Sequence, residues 1–276
     1  MLMMKMTAYL LFGIIVIIAA TSCQSILCAG QLCKDPIVPP PLSPAKENAA
    51  ATELFVSGAG TYNNSQLMTD TESAAQVGIL RSWRSTAKYA TLEGHIAASA
   101  WYGQARIAYD DKSIASDGLI LPSAKEPFAF YGATIQAEEG LETTLSSRAS
   151  LGAGLRGSIA YEEGLYREFR KQAEKAAEIG APDSIWQAVV DNNPSPWTGI
   201  AGIDLSTIFG HEESVLTRLG LFGGFVYTFP AQIMYPEDME IQGSAEMRFQ
   251  QICVTATLSC TSEMLGAGLS FGYLLP

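Results

Sequence analysis

The stretch that decides the fold is Leu141–Gly164, which reads LETTLSSRASLGAGLRGSIAYEEG. Its odd positions are mostly apolar or small, whereas its even positions carry polar residues and glycines, including Arg148 and Arg156. A period of two is typical of a β-strand, whose side chains alternate between two faces. The alternation lasts for about twenty positions, so we expect one long strand whose two faces meet different surroundings.

Composition limits the surface that this chain can present to water. The chain has 276 residues, of which 48% are hydrophobic and only 16% are charged. The charged share is below the roughly 25% that is usual for soluble domains. Lys and Arg number 17 against 28 Asp and Glu, which gives a net charge of −11. An acidic chain without a basic stripe indicates that nucleic acid is not a partner.

The N-terminus predicts export. One lysine, Lys5, precedes an apolar segment from about Ala8 to Ala20, which is shorter than the roughly 20 residues that span a bilayer. Such a segment fits the apolar region of a secretory signal. Its end, Ala20-Thr21-Ser22-Cys23, resembles the bacterial lipoprotein signal, in which cleavage before the cysteine is followed by lipidation of the thiol. We therefore predict a signal peptide at 1–22 and lipidation of Cys23; ordinary signal cleavage and an uncleaved anchor are the alternatives.

A proline-rich segment follows, with five prolines between Pro36 and Pro44. This density favours an extended spacer without helix or sheet pairing. We interpret residues 23–51 as a tether between the lipid and a folded domain at 52–276; a disordered leader is the plainer interpretation.

The cysteines agree with an oxidising compartment. If Cys23 is lipidated, an even number remains, and their disulfide pairing stays open. Cys253 and Cys260 differ in parity, so on one continuous strand they would point to opposite faces and could pair only if the chain turned between them. The four remaining cysteines are Cys28, Cys33, Cys253 and Cys260.

From Thr52 onward the dominant period is two, which predicts nine or ten strands. The predicted strands are Leu54–Tyr62, Gln76–Arg84, Tyr89–Gly103, Phe128–Glu139, the stretch quoted above, Trp197–Phe209, Val215–Phe229, Ile241–Phe249, Ile252–Ser259 and one from Leu265 onward.

The predicted connections alternate between short and long, which is typical of outer-membrane-type barrels. Tight turns are expected near Thr86–Lys88, Gly140 and Gly210–Glu213, and longer loops at Asn63–Ala75, Gln104–Pro127, Glu162–Pro196 and Pro230–Glu240.

One long loop carries its own structure. Residues 162–196 contain Leu165, Phe169, Ala173 and Ala176 at helical spacing, which predicts an amphipathic helix. We expect its aromatic residues to pack on the mouth of the barrel rather than to bind a partner.

The polar faces of the strands predict a network inside the barrel. If the apolar face meets lipid, the polar side chains point inward, and eight to ten strands leave an interior that side chains can fill. Glu246 and Arg248 share this face, and Arg81 is grouped with them despite its opposite parity. The predicted network consists of Glu93, His95, Glu138, Arg148, Arg156, Asp204 and Arg218.

Catalysis and metal binding have little support in the sequence. Glu93, His95 and Ser99 lie on one strand, two and four positions apart, whereas a triad needs a nucleophile–base hydrogen bond of about 2.6–3.2 Å. No hydrolase, zinc-protease or nucleotide-binding motif occurs, and the only histidines are His95 and His211. We predict no enzyme activity, no cofactor and no metal; His95 is expected to be a lumenal hydrogen-bonding residue and His211 a turn residue.

The signal-like ATSC segment, the proline spacer, the two-residue alternation and the short–long connections together resemble bacterial outer-membrane β-barrel proteins made with a lipoprotein-type signal. The resemblance implies an all-β, antiparallel, up-and-down transmembrane barrel of about 8–10 strands with a helical insert, located in the outer membrane. Our hypothesis is a structural or surface-binding envelope component with a narrow or plugged lumen. Its partners would be membrane lipid and an extracellular ligand that the long loops bind.

Two alternatives stay open at this stage. One is a soluble periplasmic lipoprotein with a lipocalin-like barrel, whose apolar faces would point inward around an apolar ligand. The other is a narrow porin.

Overall fold

The structure is a computed structural model of the chain. It describes residues 50–64, 68–87, 90–109, 126–146, 149–169, 171, 196–209, 216–229, 238–260 and 265–275. The predicted signal peptide and lipidation site, and nearly all of the tether, lie outside these residues.

Ten antiparallel strands form one closed barrel in which every strand pairs with its neighbours in sequence and β1 pairs with β10. This confirms the predicted all-β, up-and-down barrel. The strands are β1 Ala50–Asn64, β2 Met68–Thr86, β3 Thr91–Tyr109, β4 Phe128–Ser146, β5 Ala149–Gly164, β6 Trp197–Phe209, β7 Leu216–Phe229, β8 Asp238–Phe249, β9 Ile252–Cys260 and β10 Leu265–Leu274.

The long strand predicted at 141–164 is wrong, because two strands share that stretch. Residues 141–146 end β4, and β5 begins at Ala149. The pairs Glu142↔Gly152 and Thr144↔Ser150 join residues of equal parity. Paired residues face the same side of a sheet, so the alternation runs unbroken through the hairpin and hides the turn. Gly140, predicted to lie in a turn, is inside β4.

The barrel has two distinct ends. At the turn end, short connections join β2 to β3, β4 to β5, β6 to β7 and β8 to β9, and β1 begins and β10 ends there. At the loop end lie the long connections after β3, β5 and β7. The predicted long loop at 63–75 is wrong, because β2 begins at Met68 and only residues 65–67 separate it from β1.

The stagger of the strands fixes their tilt. A walk along paired residues starts at Ala50, crosses all ten strands and returns to β1 at Tyr62, twelve residues nearer the loop end. With ordinary strand spacing and rise, this stagger gives a tilt of about 40° and a barrel radius of about 10 Å. Such a barrel is narrow enough for side chains to fill it.

The outer surface is apolar and is bordered by aromatic residues at both ends. Near the loop end Tyr102 pairs with Tyr131, and Tyr161 pairs with Trp197, with ring centroids 4.7 Å apart for the second pair. Tyr62 on β1 and Tyr227 on β7 belong to the same ring of aromatic residues at the loop end, which we call the upper ring. Near the turn end the outward aromatic residues are Trp83, Phe209, Phe249 and Tyr273.

The distance between the two rings matches a bilayer. The 13 residues of β6 run from Trp197 in one ring to Phe209 in the other, a rise of about 30 Å along the barrel axis at this tilt. Between the rings, large aliphatic side chains are exposed; Leu155, at 70% exposure, is the most exposed of them. The inward positions hold the buried glutamates, serines and threonines.

A short helix at 165–169 follows β5. The predicted insert is therefore helical in its first residues, and residues 172–195 lie outside the described part of the chain. Among the described residues, no helix combines the length and the apolar content needed to cross a membrane.

Cys253 and Cys260 both lie on β9, which is continuous between them. Because they differ in parity and lie about 23 Å apart along the strand, they cannot form a disulfide with each other.

Candidate functional site

The turn end of the interior contains a group of ionisable side chains, which we call the charged cluster. Its members lie on the inner faces of five strands, β2, β3, β4, β6 and β7. Its members are Arg84, Glu93, His95, Glu138, Glu142, Asp204 and Arg218.

Arg218 on β7 is the centre of the larger half of the cluster. Its guanidinium Nη2 lies 3.1 Å from Asp204 Oδ1 on β6 and 3.3 Å from Glu138 Oε1 on β4. All three side chains are nearly inaccessible to solvent. One cation therefore bridges two carboxylates across the lumen, and an ion pair of this kind depends on all its members being present.

Arg84 on β2 organises the second half. Its Nε lies 3.3 Å from Glu93 Oε1, and its Nη2 lies 2.5 Å from Glu142 Oε2. Glu93 is on β3 and Glu142 is on β4, so the ion pairs of Arg84 link three strands. Arg84 and Glu142 were not in the predicted network.

His95 connects the cluster to the middle of the lumen. Its side chain is buried; Nε2 lies 3.4 Å from Gln136 Nε2 and 3.9 Å from Glu138 Oε2. Ser99, the nucleophile considered in the triad, is four residues farther along β3 and accepts a hydrogen bond of 2.6 Å from Gln76. The structure therefore does not bring the histidine and the serine together.

Arg156 on β5 lies just above the cluster, with its guanidinium carbon 3.5 Å from the centre of the Phe222 ring. This is a cation–π contact in a desolvated place. Phe222 packs with Ile200 and Val226 in an apolar group. Arg148, the remaining predicted member of the network, lies outside the described residues.

Little open space is left between the two halves of the cluster. Glu93, Glu138, Glu142 and Arg218 line a cavity of about 20 Å³, which is enough for about one water molecule. Side chains therefore fill most of the space between the two halves of the cluster.

Arg81 was grouped with the inward residues, and this prediction is wrong. It is exposed on the outer face of β2, with its Nη1 donating a 2.6 Å hydrogen bond to Thr52 Oγ1 on β1. Parity along β2 could have corrected the assignment, since Gln76, Leu80 and Ser82 are buried at even positions. The same parity would have placed Arg84 inside.

Aromatic side chains pack inside the loop end against β3 and β4, and we call them the aromatic plug. Ring centroids lie 5.8 Å apart for Trp101 and Phe130, 5.9 Å for Phe130 and Tyr166, and 4.6 Å for Phe128 and Phe169. Trp101 donates its indole N–H to Thr134 Oγ1 at 3.2 Å. Strands β3 and β4 and the short helix therefore meet in one packed group.

The chain bends inward at Gly164 to build this plug. Gly164 has a φ of 128°, which side-chain-bearing residues rarely adopt. The bend places Tyr166 and Phe169 of the helix in the interior, whereas Leu165 is 63% exposed. Packing on the barrel mouth was predicted for the aromatic residues of this segment, and Tyr166 and Phe169 are buried there.

The opposite wall, formed by β8, β9, β10 and β1, carries buried glutamates as well as smaller polar groups. A row of paired, inward residues crosses it from Thr255 through Ser270 and Ser57 to Gln76. Ser57 Oγ donates to Gln76 Oε1 at 2.9 Å. On this wall Glu53 lies in the notch left by Gly272, and neither of its carboxylate oxygens has a hydrogen-bond partner among the described residues.

Within the described ranges, no group of three or more His, Cys, Asp or Glu side chains is arranged to hold a metal ion. His211 lies outside those ranges.

The chain is similar in structure to several solved proteins, each with low sequence identity to it. No family model matches the chain, and no curated protein sequence matches it. The transport unit of the autotransporter AIDA-I from Escherichia coli is 10% identical, with a TM-score of 0.43, over 88% of this chain and 95% of that one. The β domain of the Bordetella autotransporter BrkA is 10% identical, with a TM-score of 0.40, over 83% and 100%.

An outer-membrane channel from Pseudomonas putida F1 is also 10% identical, with a TM-score of 0.39, over 85% of this chain and 100% of that one. The barrel fold of this chain is established by its own strand pairing and not by these likenesses.

Proposed function

We propose that this chain is a small transmembrane β-barrel of the bacterial outer membrane with a plugged lumen, and that it acts as a structural or surface-binding component of the envelope. The observation that carries the proposal is the inside-out distribution of side chains. Exposed leucines, isoleucines and valines cover the wall between two aromatic rings, while the charged cluster is inside. In water this arrangement would expose the apolar surface and bury the charges, so a lipid surrounding is the one that it suits.

The arrangement contradicts the lipocalin-like alternative. A soluble barrel that binds an apolar ligand needs its apolar faces inward and its charges in water. Here Leu151 and Leu155 face outward, and Arg156 and Arg218 face inward.

The packed interior favours a plugged barrel over a porin. The charged cluster leaves room for about one water at the turn end, and the aromatic plug buries Phe130 and Tyr166 at the loop end. Solute would have to pass both obstacles. Any recognition would then belong to the long loops, whose residues 110–125 and 172–195 lie outside the described part of the chain.

The experiment is membrane extraction followed by gel migration. We expect the protein to resist carbonate and high salt, to dissolve in detergent, and to change its migration on heating because the barrel stays folded in cold SDS. Release of the intact protein by carbonate would overturn the membrane location. Planar bilayers containing the purified protein should show no sustained conductance, and a steady open channel would replace the plugged barrel with a porin.

Lipidation of Cys23 belongs to the same proposal. A diacylglyceryl group on an N-terminal Cys23 in the mature protein, detected by mass spectrometry, is the expected result. A mature N-terminus elsewhere, with an unmodified Cys23, would leave the barrel as the only membrane attachment.

A further inference from the structure

The outer wall of β2, β3 and β4 combines small side chains with two charges. Bulky residues such as Ile96 and Ile135 also lie among its outward positions. On β3 and β4 these positions include four exposed alanines, Ala98, Ala100, Ala133 and Ala137. A surface of small side chains lets another backbone come close, which bulky side chains prevent.

Two charges of opposite sign lie on this wall. Arg81 on β2 and Glu139 on β4 are the charged side chains that the described residues place outward between the two aromatic rings. Arg81 bonds Thr52 within its own chain, and Glu139 makes no hydrogen bond or ion pair to another described residue. A charge facing lipid is costly, so a cation supplied by a second copy of the chain would stabilise this carboxylate.

The two charges lie level with each other on either side of β3. Arg81 pairs with Ile96, and Ile96 pairs with Ala137. Because the strands are tilted, Ala137 lies nearer the loop end than Arg81, by about the length of two strand residues. Glu139, two residues toward the turn end, therefore returns to the level of Arg81, about 10 Å away across one intervening strand.

We infer that this wall is the interface of a symmetric dimer of the chain. The inference rests on the proposed membrane location, because two copies inserted in the same direction can be related only by a two-fold axis along the membrane normal. If that axis passes in front of β3, it places Arg81 of each copy opposite Glu139 of the other, at the same depth. A two-fold interface is self-complementary by definition, and this pair of charges meets that requirement twice.

The local surface supports the close approach. Between the two charges, the Trp83 ring occupies the space over Gly94, and Ile96 is 48% exposed. Toward the loop end the surface is lower, because Ala98 and Ala100 have small side chains. Each Arg81–Glu139 pair would be shielded from water by the surrounding lipid, where an ion pair is stronger than in water.

The test is a charge exchange on the full-length protein in phospholipid bilayers, with copies per particle counted by single-molecule photobleaching. The wild type should be dimeric. Arg81→Glu and Glu139→Arg should each weaken the dimer about tenfold or more, because like charges then meet twice. The double variant Arg81→Glu/Glu139→Arg should return to within about threefold of the wild type.

Two control variants separate the interface from side effects. Thr52→Val removes the hydrogen bond of Arg81 but keeps its charge, and Arg106→Glu changes an exposed charge on β3 beyond the upper ring; neither should alter the dimer. Heat-dependent gel migration shows that each variant is folded and inserted. A folded, inserted wild type that is monomeric, or a dimer that ignores the single charge changes or is not restored by the double one, overturns the inference and leaves the proposed function standing.

A photo-crosslinker tests which wall is involved. Ala98→p-benzoylphenylalanine should give a covalent dimer on illumination, because residues near a two-fold axis meet their own copies. The matched variant Ala256→p-benzoylphenylalanine, at about the same depth on β9, should give none. Crosslinking from Ala256 instead of Ala98 would overturn the assignment of the wall.

Discussion

The two ends of the barrel interior are filled by opposite chemistry, although the same strands build both. Strand β4 contributes Glu138 and Glu142 to the charged cluster and Phe130 to the aromatic plug. The cluster depends on charge pairing, since each arginine bridges two carboxylates. The plug depends on volume and shape. A narrow barrel can therefore be closed either by paired charges or by packed aromatic rings. The stability of the two ends should respond differently to substitution.

The largest effect is expected from Arg218→Met, which leaves Glu138 and Asp204 as buried, uncompensated charges. We expect the free energy of unfolding to fall by about 4 kcal/mol, measured by guanidinium unfolding of the detergent-folded protein. Arg106→Met, on the outer surface of β3, is the control and should change little.

The neutralised variant Arg218→Met/Glu138→Gln/Asp204→Asn sharpens the result. It should recover at least half of the loss, because Glu138 and Asp204 no longer leave uncompensated charges. If the single variant is as stable as the wild type, the cluster does not depend on the ion pairs of Arg218.

Phe130→Ala tests the other end. Removing a buried ring leaves a cavity, and we expect a loss of about 3 kcal/mol in the same unfolding experiment. The adjacent Tyr131 points to the outside of the same strand and is 53% exposed, so Tyr131→Ala should cost clearly less. Equal losses for the two variants would mean that the plug is not a packed core.

Gly132→Ala tests whether the plug is limited by shape. A Cβ at Gly132 would overlap the backbone oxygen of Tyr161 and the ring of Trp101, so we expect a loss of about 2 kcal/mol. Gly223 on the outer face of β7 has nothing within 4 Å of the same position. Gly223→Ala should therefore be neutral, and an equal response from both glycines would contradict the shape argument.

Thr134→Val gives the smallest effect at the loop end. It leaves the buried indole N–H of Trp101 without its 3.2 Å acceptor, at an expected cost of about 1 kcal/mol. Thr143→Val, on the exposed face of the same strand, is the matched control. A neutral Thr134→Val would show that another acceptor replaces the hydroxyl.

Much of the fold could be predicted from the sequence, because a period of two records which face of a strand meets lipid. The exposed Leu151, Leu155 and Ile159 and the inward Arg156 follow from parity alone. The hairpin between β4 and β5 could not be found this way, since equal-parity pairing carries the alternation through the turn.

The candidate site was predictable only in part. Parity assigns Glu138, Asp204 and Arg218 to the inside, but Glu138 and Arg218 are 80 residues apart in sequence. Their contact depends on the stagger and circumference of the closed barrel, which no local pattern records. Arg81 shows the converse error, because its charge suggested the interior while its position on β2 places it outside.

The sequence by itself determined an alternating, weakly charged chain whose strands each have one apolar and one polar face, because side-chain direction along a strand is a local property. Only the tertiary structure decided the number of strands, the stagger of twelve residues, which charges meet, and that the chain bends at Gly164 to place Tyr166 and Phe169 in the barrel mouth. Closure is the physical reason: it joins β1 to β10, and the resulting register sets which distant residues share one level of the interior.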